Sequence, residues 1–314
     1  MVSDSTTDDF PIVDPHQHFW DLSRNYYPWL CDPKPIPFRY GDYSSLKRTY
    51  LPPDYLRDAG ALKIVKTVHV QANWDPTDPA GETRWLVDVA REYGYPHASI
   101  GAAYFDRADI AEVLAKHAKS ALTRGVRNFP ASTETPAQAA RGATGSMDDP
   151  KWRDGYALLQ KYGFSFDLQT PWWHLHEAAA LARDFPDTQI IINHTGLPAD
   201  RSADGLAAWR AAMAGVAACP NIAVKISGIG VRGEAWTADA NRDVVMTTIA
   251  LFGVDRCMFA SNFPVDSLCA SFDDIFEGFA AITSGFSADE RARLFYHNAV
   301  RIYAIPPAWL HAEP

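Results

Sequence analysis

Short apolar runs bounded by breakers or polar clusters recur along the chain, at Ile12–Trp20, Ile64–Ala72, Ala98–Phe105, Gly125–Phe129, Phe164–Gln169, Gln189–Thr195, Asn221–Gly228 and Arg256–Phe263. Runs of this length, rich in β-branched and aromatic residues, predict strands. The intervals carry helical patterns, among them Thr83–Tyr93, Ile110–Leu122, Lys151–Lys161, His176–Phe185, Ala203–Ala218 and Asn241–Phe252. Ser287 offers an N-cap to a last helix over Ala288–Tyr303. Eight strand–helix repeats predict an α/β fold, a single (β/α)8 barrel domain over residues 1–314. Two intervals depart from a minimal barrel. Residues 21–63, rich in aromatics and proline, predict a folded insertion after the first strand that caps the barrel mouth. Residues 130–150, rich in Ala, Thr, Gly and Ser, predict a loop.

Strand side chains alternate between two faces, and sorting them separates the chemistry. Asp14, His16 and His18 share a face, and His69, Gln71 and Asn73 oppose Val68 and Val70. Arg127 lies with Gly125; Ser165, Asp167 and Gln169 oppose Phe164, Phe166 and Leu168; Lys225 and Ser227 oppose Val224 and Ile226. The apolar sets are expected to meet the helices and the polar sets to converge inside the barrel, near the C-terminal strand ends where barrel enzymes place their sites. An unpaired buried polar group costs about 1–3 kcal/mol, so such an interior calls for a ligand, a metal or a closed network.

Composition narrows the partners. Twenty-nine Lys and Arg against 38 Asp and Glu give a net charge of −9, which disfavours nucleic acid and leaves a small-molecule substrate as the expected partner, for a monomer or a homo-oligomer. Four cysteines without a CxxC pair predict a reduced, cytoplasmic protein rather than a disulfide framework. The start MVSDSTTDDF lacks the basic and apolar regions of a signal peptide, and no run is long enough to cross a membrane.

His16 and His18, at i and i+2 on the first strand, can chelate one divalent cation, and His194, closing the sixth run, adds a third imidazole. These three are the candidate catalytic histidines and the candidate metal ligands, for one Zn²⁺ or for none. Arg127 offers a fork for a carboxylate; Lys225 can offset an oxyanion. Both cations would instead be satisfied by internal ion pairs with Asp14 or Asp167. Gln71, Asn73, Gln169, Ser227 and Asn262 are candidate substrate-binding residues, and Asp266, the carboxylate nearest the eighth strand end, is a candidate catalytic residue that, as an alternative to His194 or a metal, would activate water. A second HxH, His174 and His176, stands at a helix start, where the two rings do not face together; rim or capping roles fit it better.

The motifs DPHQHFW, HVQAN, GVRNF, FDLQ, INHTGLP, VKISG, MFASNFPVD and NAVRIY, in order from Ile12 to Tyr303, resemble the amidohydrolase-related barrel hydrolases, and most closely the branch of sugar-acid and pyrone-dicarboxylate lactonases. The resemblance implies a distorted barrel, water attack on a ring ester, and functional positions at His16, His18, His194 and the eighth-strand position. Most relatives carry Asp there and this chain carries Asn262. The expected activity is opening of a lactone or related cyclic ester of a small organic or sugar acid. The rivals are a metal-dependent decarboxylase and a non-catalytic barrel that binds a small molecule.

Overall fold

The computed structural model describes residues 10–307; all of the acidic start but Phe10 lies outside the described residues. Eight strands, β1 (Ile12–Gln17), β2 (Ile64–Val70), β3 (Ala98–Ala102), β4 (Thr123–Asn128), β5 (Ser165–Leu168), β6 (Ile190–Ile192), β7 (Ile222–Ile226) and β8 (Cys257–Phe259), pair in chain order. Every pairing is parallel. A parallel bridge between Gln17 and Phe263 links the first and last strand ends, with His18 N–H donating to the Phe263 carbonyl at 2.8 Å. The architecture is the expected (β/α)8 barrel.

Helices lie where the pattern placed them, with shifted ends. Examples are Gly81–Tyr93, Ile110–His117, Leu175–Asp184, Ala203–Ala217 and Ala238–Phe252. Their starts have physical causes: the Ser202 and Thr237 side chains accept backbone N–H groups of the first turn. The last segment starts behind Ser287 as expected, but as Ala288–Ala292, a π-helical Arg293–His297 and Asn298–Ile302. Two helices of eight residues or more lie outside the expected segments, Pro52–Ala59 in the first insertion and a later one. Phe272–Ile282, closed at its start by a Ser271–Asp274 capping box, follows β8 before that segment.

Two buried clusters divide the apolar residues. Outward strand residues such as Val126, Phe166, Ile190, Val224 and Phe259 pack with the helices. Val13, Val68, Val70, Ile100, Ile191, Ala223 and Met258 form the inner cluster, with Tyr303 and Ile305 packed on it. Above that plug the interior turns polar.

Two expected faces are corrected here. On β2 the apolar set points inward, with Val68 and Val70 in the inner cluster. His69 points outward and its Nε2 lies 3.2 Å from Glu82 on the helix Gly81–Tyr93. On β1 the pairing runs Asp14 with Thr67 and then Gln17 with His69, so one extra residue is inserted. This bulge at Pro15–His16 reverses the alternation. Asp14 therefore faces away from the histidines, accepting from the Tyr55 hydroxyl at 2.7 Å and the Ser261 hydroxyl at 2.5 Å. His16 and His18 point inward. No helix among the described residues is long and apolar enough to cross a membrane.

Candidate active site

The C-terminal strand ends bring the predicted residues to one cavity of about 220 Å³. His18, Asn73, Arg127, Gln169, His194 and Asn262 line it. His16, Gln71, Lys225, Ser227 and Asp266 stand behind that wall, and most of them brace a lining residue. The ring centroids of His16 and His194 are 4.6 Å apart, and those of His16 and His18 are 5.1 Å apart. Three lining residues sit in the left-handed region, Asn73 at φ 59°, His194 at φ 55° and Asn262 at φ 56°. Asn tolerates that conformation, whereas at His194 it costs on the order of 1–2 kcal/mol. Such strain persists where the surrounding structure over-determines the residue, typically at functional sites.

Each side chain is fixed by a partner. His18 Nδ1 donates to the Val70 carbonyl at 2.6 Å, and its Nε2 faces Asn262 Oδ1 at 3.3 Å. Arg127 Nη1 donates to Gln169 Oε1 at 3.1 Å and approaches His16 Nε2 at 3.5 Å, while Nη2 donates to the Gln71 carbonyl. Arg127 Nε and His16 Nδ1 are buried with no hydrogen-bond partner among the described residues. Phe129 stacks on the guanidinium, 4.9 Å from ring centroid to Cζ. Ser227 Oγ meets His194 Nδ1 at 2.9 Å. The Gln71 side chain accepts the Asn73 N–H at 2.7 Å, so it holds the turn rather than lining the cavity.

Lys225 and Asp167 form a fully buried ion pair at 2.5 Å, and the same carboxylate accepts from the Tyr303 hydroxyl at 3.0 Å. The internal pairing that was the alternative reading for Lys225 is therefore present. Asp266 is also buried. Its Oδ1 accepts from Asn262 Nδ2 at 2.7 Å, from the Tyr40 hydroxyl at 3.0 Å and from Arg39 Nη2 at 3.3 Å.

Arg39 and Tyr40 were not found in the sequence. They belong to the stretch after β1, which also gives Trp29, Ile36 and Phe38 to the cavity wall. The Trp29 and Phe38 rings stack 5.6 Å apart and 5° from parallel. That stretch is irregular, so no period marked Arg39; its closeness to two aromatics in a proline-rich segment was the only signal.

The electrostatics follow from burial and three cations. Desolvation first, then Lys225 and the neighbouring rings, hold His16 well below the usual histidine range. Desolvation, Arg39, Arg127 and Lys225 do the same to His194, and desolvation and Arg127 to His18. Each of these shifts favours the neutral imidazole. Burial pushes Lys225 down to about 8 and Arg127 down to about 10, against the raising effect of Asp167 on both. Burial raises Asp266 despite Arg39.

The donors do not fit a resident divalent cation. His18 has the back-side support of a metal ligand, but His16 Nε2 is aimed at the Arg127 guanidinium, itself a cation. Asn262 brings no charge. Among the described residues no three His, Cys, Asp or Glu side chains form a metal-binding group.

Parallel strands whose C-terminal ends gather imidazoles, amides and guanidinium groups around one cavity define a barrel enzyme. Residues 13–305 match the amidohydrolase family, and the chain belongs to it. It is 45% identical over 297 residues to the uncharacterized protein y4mH of Sinorhizobium fredii, covering 95% of this chain and 99% of that protein. It is 29% identical to an L-fucono-1,5-lactonase of Burkholderia multivorans, over 94% of this chain and 96% of that one. A crystal structure of a B. multivorans amidohydrolase with bound zinc aligns with a TM-score of 0.77 at 26% identity, covering 95% of this chain and all of that one.

Proposed function

We propose that the protein hydrolyses a lactone of a small acid, with the stretch after β1 closing over the bound ring. The observation that carries this is the convergence of neutral His194 and cationic Arg127 on one cavity, with His16 in contact with both. The lactonase relatives support ring opening over decarboxylation.

In this reading Arg127, on the cavity wall, holds the ring carbonyl or a carboxylate beside it. His194 gives its Nδ1–H to Ser227, which leaves the Nε2 lone pair to take a proton from water as the water attacks the carbonyl carbon. Negative charge develops on the carbonyl oxygen beside the guanidinium, in a site too buried for water to screen it. The ring C–O bond then breaks and the proton on His194 passes to the leaving alkoxide, giving a hydroxy acid. Burial, and Lys225 after it, favour the neutral form of His16 beside Arg127. Asp266 accepts from Asn262 Nδ2 and so holds that amide in place beside His18. No step requires a metal.

The test is a panel of γ- and δ-lactones, from sugar acids and from aromatic-derived acids, followed with a pH indicator. Stoichiometric acid release that disappears in His194→Ala is the expected result. A folded protein that opens no member of the panel overturns the reading.

A further inference from the structure

A second cavity, of about 510 Å³, lies beside the first; Trp172, Trp173, Leu197, Pro198, Ile229 and Val231 make its wall mostly apolar, with Arg39, Tyr40, Asp200 and Arg232 as its polar groups. Arg39 lines both cavities. Gly228 lines the second one, and a Cβ built there would stand 2.4 Å from His194 Nδ1 and 2.6 Å from Arg39 Nη2. Its φ of +57° also favours glycine. The proposed base, the Arg39 guanidinium and the apolar chamber therefore meet at one backbone position.

The second HxH finds its explanation at this chamber. Trp173 Nε1 donates to the Thr133 carbonyl at 3.1 Å, and His174 Nε2 accepts the Thr133 N–H at 2.9 Å. His174 is held in turn by Glu177, Nδ1 to Oε1 at 2.7 Å. These bonds fasten the long connection after β4 next to the chamber, and Pro136 of that connection forms part of the wall.

We infer that this chamber receives an apolar substituent, an alkyl chain or aryl group, carried by the lactone ring whose carbonyl lies between His194 and Arg127. The inference rests on the ring-opening reading. Arg39, which lines both cavities, puts the chamber within reach of a substituent on the molecule bound at His194. A polyhydroxylated arm would leave unpaired every hydroxyl that faces tryptophan, leucine or isoleucine rather than one of the few polar groups of that wall. Each methylene removed from water there strengthens binding by about fourfold.

The experiment measures binding and turnover separately. In calorimetry, 4-hydroxy acids of five to ten carbons are titrated into the protein, into Ala199→Trp and into Val231→Asp. Ala199 is exposed at the chamber rim, so the new indole enters the chamber without disturbing the core. Val231→Asp brings a charge to the same wall by a different route. The expected result is a threefold to fourfold gain in affinity per methylene until the chamber is full, flattened in both variants. An affinity that ignores chain length, or a gain that both variants keep, overturns the inference. The matching γ-lactones are assayed for kcat/KM. If chain length governs binding but no lactone opens, the ring-opening reading fails and the chamber stands as an apolar acid site. If lactones open with no response to chain length in either assay, the chamber inference falls and ring opening stands.

Discussion

At the scale of single residues, the site works through proton positions. His194 is held below the ordinary histidine range by burial and by Arg39, Arg127 and Lys225, so its basic form survives into mild acid. Activity is present above the lowered pKa and is lost only as pH falls through it. kcat/KM is expected to stay level down through pH 6.5 and to fall below that; a midpoint at or above 6.5 would contradict the neutral-base assignment. Replacing His194 by Ala should lower kcat by roughly 10²–10⁴-fold while leaving the thermal midpoint near that of the native protein. Arg127→Lys should raise KM for a carboxylate-bearing lactone, because an ammonium cannot reproduce the fork; an unchanged KM, with substrate in rapid equilibrium, would remove that contact. Asn262 tests the metal question. An Asp there adds a charge beside His18, so Asn262→Asp should bind Zn²⁺ more tightly than the native protein, as read by metal content after chelator dialysis. A native protein that retains one metal per chain through chelation would contradict the misfit of its donors. Much of this site was legible from residue types alone: two histidines two apart on a strand, a third at a strand end, an inward Arg. Arg39 and Tyr40 were not, because they reach the site from an irregular segment whose path no periodicity encodes.

At the scale of elements, the strand order was legible because strand and helix periods alternate along the chain, and because parallel neighbours need a crossover between them. The facing of each strand was legible only where alternation is unbroken. β5 and β7 read correctly, since Asp167 and Lys225 stand opposite clean apolar sets. β1 did not, because the bulge at Pro15–His16 turns the phase between Asp14 and His16; a proline, which cannot donate to a ladder, was the warning. β2 misled for another reason: its inward residues belong to the apolar plug, and its outward His69 finds Glu82 on the helix behind. The buried pair of β5 and β7 predicts its own energetics. Asp167→Asn leaves Lys225 as an uncompensated buried charge and should cost about 3–5 kcal/mol in urea unfolding. Tyr303→Phe removes one bond to the same carboxylate and should cost about 1.5–3 kcal/mol. If Asp167→Asn instead left stability unchanged, the ammonium would have to be neutral or solvated in the folded protein. Phe272–Ile282 shows the remaining difficulty. It is a second helix within one strand-to-end interval, and counting one helix per interval passes over it.

At the scale of the whole molecule, a chain of net charge −9 encloses a cavity lined by two guanidinium groups, Arg39 and Arg127. Arg39 is partly exposed, with a side-chain accessibility of 31%, whereas Arg127 and Lys225 are buried. The two fields act over different distances. The surface charge reaches an approaching anion at long range and is screened when the Debye length shortens from about 30 Å at 0.01 M to about 10 Å at 0.1 M salt. The buried cations act over a few ångströms, inside walls that exclude counterions, and are screened far less. For a substrate carrying a carboxylate, added salt therefore removes repulsion and leaves the local attraction in place. kcat/KM for such a lactone should hold constant or rise modestly between 0.01 and 0.1 M salt, whereas a neutral lactone of the same ring size should show no dependence. Arg39 is partly exposed to water, so Arg39→Gln should raise KM for the anionic substrate more than for the neutral one. A severalfold fall in kcat/KM with salt for the anionic lactone would mean that exposed cations guide it, and would place substrate recognition on the surface rather than at Arg127.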